Sequence, residues 1–207
     1  MDQIMQFPLG PLATNCYLIT AADNSAVIID PASSSDISAV LQSHDLSLAG
    51  IVITHGHYDH FAGAAALQEE FEAPIYAPEL DRDMFQSADK CWAYFMRGIP
   101  FVPIMPDCLY EDGDVFEAGG IQFRVMSAPG HTAGSCLLFC DEYNALFTGD
   151  VLFKNGIGRT DGFSGSARQQ EESLRKIKQI DGDYMIMCGH GETSNLIIEK
   201  KFNPYLE

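Results

Sequence analysis

Apolar and polar positions alternate along this chain in two rhythms. Short apolar runs closed by Gly, Pro, Asn or Asp predict strands over 3–7, 16–20, 26–29, 50–54, 75–77, 121–127, 136–140, 145–148 and 184–187. Stretches whose apolar residues recur three and four apart predict helices over 35–42 (through Ile37, Val40 and Leu41), 62–71, 80–95, 167–180 and 194–200. Ser166 stands where an N-cap belongs, with Gln169 three residues on, as in a capping box. Hairpin-like strand groups alternate with helices, which predicts an α/β architecture of two packed sheets with helices outside.

Residues 78–107 break the rhythm. Leu80, Met84, Ala88 and Trp92 recur at four-residue spacing and predict one amphipathic helix that buries a stripe on the core. The same stretch carries Phe85, Trp92, Tyr94, Phe95 and Phe101 with three prolines near its end, which suits a lid over a nearby site equally well. With 207 residues, and no linker, repeat or low-complexity segment, one domain over 1–207 is expected, 78–107 being a possible lid insertion.

Hydrophobic residues at 46% and charged residues at 20% suit a folded soluble chain. Charge narrows the partners: 12 basic against 29 acidic residues give −17, which repels nucleic acid and anionic membranes. No apolar window approaches the length of a membrane span, and "MDQIMQFPLGPLATN" lacks the basic start and apolar core of a signal peptide, so a cytoplasmic location is expected. The six cysteines form no CxxC pair and are expected as buried free thiols. Oligomeric state is not readable from these features.

Candidate chemistry concentrates in "ITHGHYDHFAG", residues 53–63, which holds three of the six histidines directly after an apolar run. On extended backbone, His55 and His57 project to one side about 6–7 Å apart and can converge on one ion. Asp59 and His60 follow at the turn into a helix and can serve a second. Imidazole with carboxylate suits Zn, Fe or Mn, and such sites gather ligands from separate loops. Downstream, "SAPGHTAGS" presents His131, "LFTGDVLF" presents Asp150 and "MIMCGHGET" presents His190, each just past an apolar strand. His44, in "LQSHDLS" at a helix end, is expected to be solvated.

"THGHYDH", "PGHT", "TGD" and "GHG", in this order and spacing, resemble the metallo-β-lactamase superfamily over nearly the whole chain, from "NCYLI" to "FNPYL". The resemblance implies an αββα sandwich of two mixed β-sheets with flanking helices, carrying a dinuclear metal site between the sheet ends. It further implies that His55, His57 and His131 hold one ion, that Asp59, His60 and His190 hold another, and that Asp150 bridges them. "FTGDVLFKNGIGRTD" is similar to the glyoxalase II branch, with Arg159 in the place of its arginine. Asp150 tells against the class B β-lactamases with cysteine there, and His57 stands where the diiron flavoproteins use glutamate. Only residues 191–207 follow His190, so the chain resembles the short, single-domain glyoxalase II-like proteins without the C-terminal glutathione grip.

Zinc lowers the pKa of bound water from about 15.7 towards 7, roughly 12 kcal/mol at about 1.36 per unit, which dwarfs the ~10²–10⁴-fold of a single general base. The expected function is therefore a hydrolase with two Zn²⁺ (Fe or Mn possible) acting on a small-molecule thioester or other acyl substrate, with Asp59 as catalytic residue. The alternatives are a mononuclear iron persulfide dioxygenase of the same branch, or a lactonase. Neither GxSxG nor a P-loop Lys-Ser/Thr pair occurs. Arg159 is expected in a loop-ordering ion pair, and Lys154 either as an anionic-substrate contact or as a solvated side chain.

Overall fold

The computed structural model describes residues 3–206; residues 1, 2 and 207, the ends of the expected domain, lie outside the described residues. The first half builds one six-stranded sheet. It comprises β1 (Ile4–Leu9), β2 (Thr14–Thr20), β3 (Ser25–Ile29), β4 (Ser47–Val52), β5 (Ile75–Pro78) and β6 (Cys108–Tyr110), in chain order across the sheet. The β1–β2–β3 pairs are antiparallel; α1 (Ser34–His44) and α2 (Ala64–Phe71) are the crossovers that make the β3–β4–β5 pairs parallel.

The second half builds the facing sheet from β7 (Val115–Ala118), β8 (Ile121–Ser127), β9 (Cys136–Cys140), β10 (Ala145–Gly149), β13 (Met185–Cys188) and β14 (Ser194–Asn195), with a small β11 (Leu152–Phe153)/β12 (Gly156–Ile157) hairpin beside it. α3 (Ala167–Lys178) and α4 (Leu196–Phe202) follow on its outer side. Both sheets mix parallel and antiparallel pairs, as expected for the sandwich.

Side-chain alternation explains why the strands read as unbroken apolar runs. In β2, Tyr17 and Ile19 join the core between the sheets with Phe123, Leu138 and Phe147, while Cys16 and Leu18 face α1 and α2 alongside Ile37, Leu41 and Leu67. In β9, Leu137 and Phe139 face α3 and α4, where Leu174, Ile177 and Leu196 wait, and Leu138 and Cys140 point between the sheets. Five of the six cysteines are buried free thiols as expected; Cys108, on the edge strand β6, is exposed.

Two sequence expectations need correction. Residues 80–95 are not one helix: three 3₁₀ turns, Glu79–Asp81, Met84–Gln86 and Ala93–Phe95, replace it. The reason lies in Asp81 and Trp92. The buried Asp81 carboxylate is claimed by backbone donors of two other loops, and Trp92 takes left-handed backbone (φ 58°), which no helix interior accommodates. Leu80, the supposed head of the buried stripe, is 66% exposed. The expected helix at 194–200 begins instead at Leu196, because Ser194–Asn195 pairs with β13 and the Asn195 side chain accepts from Ile197 N and Ile198 N as the cap. Ser166 does cap α3, accepting from Gln169 N.

Candidate metal centre

Every expected ligand lies at one rim of the sandwich, where chain leaves a buried strand. β4 runs out into Thr54–His55–Gly56–His57 and a 3₁₀ turn, Tyr58–His60; β8 leads to His131, β10 to Asp150 and β13 to His190. A Thr14–His190 bridge and the Asn15 N to Gly189 O bond (2.7 Å) lock the start of β2 against the loop after β13, so the two sheets are fixed to each other beside these side chains.

The structure brings all seven together. His55 Nε2 is 3.1 Å from His57 Nδ1, which is 2.8 Å from His131 Nε2. Asp59 Oδ2 lies 3.4 Å from His60 Nε2 and 3.3 Å from His190 Nε2. Asp150 stands between the groups: its Oδ2 is 3.5 Å from His131 Nε2 and 3.6 Å from His190 Nε2, and its Oδ1 is 3.4 Å from His60 Nε2. Ligand atoms about 2.0–2.2 Å from a tetrahedral ion are separated by roughly 3.3–3.6 Å. The spacings around Asp59, His60, His190 and Asp150 match this, and those within His55, His57 and His131 are about 0.2–0.5 Å shorter, so the three imidazoles would spread slightly around an ion.

Neighbouring groups settle the tautomers. His60 Nδ1 donates to Asp30 Oδ2 (2.8 Å), and His131 Nδ1 donates to the Arg159 carbonyl (2.7 Å). Thr54 Oγ1 donates to Asp30 Oδ2 (2.7 Å), which leaves it to accept from His55 Nδ1 (3.1 Å). Each ring thereby turns an unprotonated Nε2 toward the same space. His57 differs in presenting Nδ1 to the cluster, and His60 Nε2 and Asp150 Oδ1, which also face it, are buried without a hydrogen-bond partner. Converging lone pairs and carboxylates with nothing between them fit divalent cations, and the His/Asp donor set fits Zn, Fe or Mn.

Electrostatics divides the cluster. Burial, reinforced by the neighbouring imidazoles, holds His55 well below the ordinary imidazole value and His57 at about 3. Burial acts the same way on His60 and His190, but the Asp59 and Asp150 carboxylates outweigh it and raise both. For Asp59, burial raises the carboxyl and His60 and His190 more than compensate, bringing it to about 2.

Close approach demands glycine at two positions. A Cβ on Gly189 would lie 2.2 Å from Asp150 Oδ1 and 2.7 Å from His60 Cε1; one on Gly158 would lie 1.9 Å from the Asp150 carbonyl. Sequence reasoning missed Asp30, Thr14, which donates to Asp59 Oδ2 (2.8 Å), and Asp81. Asp81 joins the two histidine loops by accepting from Gly56 N (2.8 Å), Thr132 Oγ1 (2.6 Å) and Gly134 N (2.8 Å). The only available signal for Asp30 was its place at the end of the apolar run "VIID", the same placement that marked Asp150.

A cleft of about 400 Å³ opens over the cluster, walled by Leu12, Trp92, Phe95, Phe153 and Arg159. The Trp92 ring stacks on His57 (centroids 4.4 Å apart, planes at 8°). Arg159 forms the expected ion pair, bonding Asp161 at 2.6 and 2.8 Å, with its guanidinium 5.0 Å from the Trp92 ring centroid. His44 is exposed at the end of α1, as expected, whereas Lys154 forms an ion pair with Glu192 that the sequence did not suggest. Among the described residues no helix is long and apolar enough to cross a membrane.

Comparison with known proteins agrees with this geometry. The profile of the metallo-β-lactamase superfamily matches residues 9–190. The chain is 33% identical over 204 residues to the hydroxyacylglutathione hydrolase GloC of Haemophilus influenzae, covering 96% of this chain and 95% of that one. It also superposes on the crystal structure of the BLEG-1 B3 metallo-β-lactamase (TM-score 0.92, 30% identity, 98% and 99% of the two chains). A second crystal structure, TTHA1623 in a di-iron-bound form, gives a TM-score of 0.87 at 30% identity, over 98% and 100% of the chains.

Proposed function

Because the chain belongs to the metallo-β-lactamase superfamily, we propose that it is a dinuclear zinc-dependent hydrolase that cleaves a small thioester or a related acyl substrate. His55, His57 and His131 would hold the first ion, Asp59, His60 and His190 the second, with Asp150 bridging. The observation that carries this reading is the position of Asp150 Oδ2, nearly equidistant from an imidazole of each group. The name of the Haemophilus relative supports hydrolysis of an acyl compound, and the di-iron relative keeps iron open as the metal.

Two divalent ions bound there would supply a nucleophile from water near neutral pH and polarise the acyl carbonyl. The chain's own residues do the rest. His55 and His57, neutral at pH 7, keep their lone pairs available. Asp30 and the Arg159 carbonyl hold the rings of His60 and His131 in the tautomer needed. Asp59, ionised and oriented by Thr14, is the side chain we assign to catalysis, as acceptor of the proton from the incoming water. Trp92, Phe95 and Phe153 keep bulk water from the scissile group, so residues 78–107 serve as one wall of the cleft within a single domain. Free, mostly buried cysteines suit a reducing compartment, and we place the protein in the cytoplasm.

Elemental analysis of zinc-supplemented protein, combined with assays on thioesters and lactones, tests this reading. About two ions per chain with thioester turnover is the expected result. Fewer than about one ion per chain, or a single iron with oxygen uptake on a persulfide and no hydrolysis, would overturn it; turnover confined to lactones would replace the thioester with the lactone.

A further inference from the structure

Apart from the ions that the proposed function would place on its floor, the cleft has among the described residues no unpaired cation on its walls with which to grip an anionic substrate. Arg159 is the one Lys or Arg side chain on those walls among the described residues, with one edge of its guanidinium engaged by Asp161 and one face by the Trp92 ring. Lys154, next to the wall residue Phe153, is paired with Glu192. A substrate carboxylate reaching either cation would displace a carboxylate already there, an exchange that gains little. The chain's −17 opposes anion approach as well.

The walls offer apolar surface instead. Leu12 and Phe95 stand 42% and 43% exposed at the mouth, with Trp92 and Phe153 beside them. The indole is held in place before any ligand arrives: it stacks on His57, and a Cβ on Gly162 would come within 2.5 Å of it. Rigid aromatic walls suit a flat or branched apolar group and charge it little ordering entropy.

We infer that the substrates are uncharged apolar acyl compounds, with an aryl or alkyl group lying against Leu12, Trp92, Phe95 and Phe153, rather than glutathione or other anionic thiol conjugates. Only the identity of the cleaved group rests on the hydrolase reading; the preference for an apolar, neutral occupant rests on the walls.

Binding can be read without turnover, because Trp92 is the only tryptophan and its fluorescence reports the cleft. Zinc-supplemented full-length protein is titrated with four thioethers, which have no carbonyl to cleave: phenethyl and methyl groups, each on N-acetylcysteamine and on glutathione. The phenethyl compounds should bind about tenfold tighter or more than the methyl ones, glutathione should give no gain over N-acetylcysteamine, and Leu12→Ala and Phe153→Ala should shrink the phenethyl advantage. About tenfold tightening by glutathione whatever the alkyl group, equal binding of phenethyl and methyl, or variants that keep the full advantage would overturn the inference. Turnover of the matching thioesters is measured separately. Selective binding with no turnover would sink the hydrolase reading and leave this one standing.

Discussion

Replacing Asp30 with Asn changes one atom and should weaken both ion sites at once. Asp30 Oδ1 accepts from Thr54 N (2.8 Å), and Oδ2 accepts from Thr54 Oγ1 (2.7 Å) and His60 Nδ1 (2.8 Å). The amide oxygen must take the Oδ1 place, since the reverse would set NH₂ against the Thr54 N–H. The NH₂ then faces His60 Nδ1 and Thr54 Oγ1 as a donor. His60 must accept at Nδ1 and carry its proton on Nε2, toward the carboxylates. Thr54 Oγ1, now accepting from Asn, turns its own hydrogen to His55 Nδ1 and moves that proton to Nε2 as well. Asn in place of a ring-orienting Asp reverses a histidine tautomer in the same way in Ser-His-Asp sites. Losing such an outer partner costs about 10–100-fold in metal affinity, and here each ion has one ligand affected. Competition against a zinc chelator should show both binding steps weakened by about that factor, with the circular dichroism spectrum preserved. Affinities within about twofold of the wild type would refute the tautomer argument.

Further outcomes follow from the same geometry. In the metal-free protein, His60 and His190 titrate above 6.5, so their protonated forms stabilise the fold fully below 6.5 and that contribution is lost as pH rises through the raised values. His57, held at about 3, acts oppositely: the unfolded chain takes up its proton first, and stability falls as pH drops from 6.5 towards 3. Protons therefore compete with metal first at His60 and His190, and bound zinc measured as pH is lowered should fall from two per chain to one before the second is released; loss of both in one step would contradict this. Asp81→Ala strands three buried donors at about 1–3 kcal/mol each, partly relieved by water, and should lower Tm by about 10 °C in calorimetry; an unchanged Tm would show that Asp81 is not the joint between the loops. Gly189→Ala drives a methyl into Asp150 and His60 and should abolish zinc binding at one site or both in elemental analysis, whereas full occupancy would show that the loop can move aside.

The candidate ligands were legible because each follows an apolar strand, and strand ends at one rim of a sandwich are neighbours whatever their separation in the chain. His131 and His190 could thus be placed beside His55 from pattern and resemblance. Shorter elements escaped: β6 and β14 have three and two residues, and β7, Val115–Ala118, mixes exposed and acidic positions, so none carries a periodic signal. The 80–95 stripe misled because a four-residue apolar spacing records which residues are apolar and nothing of what Asp81 must bond; three donors from distant loops decide that backbone. Asp30 and Thr14 act on loops that follow a different strand of their own sheet, and Asp81 reaches across to the loop after β8; no local pattern identifies partners so far off in the chain.

Anomalous diffraction at the zinc edge from zinc-soaked crystals measures the central claim. Two peaks are predicted, roughly 3.5–4 Å apart, one within about 2.0–2.2 Å of donors from His55, His57 and His131 and one equally close to donors from Asp59, His60 and His190, with Asp150 touching both. A single peak, or density away from these side chains, would contradict the account.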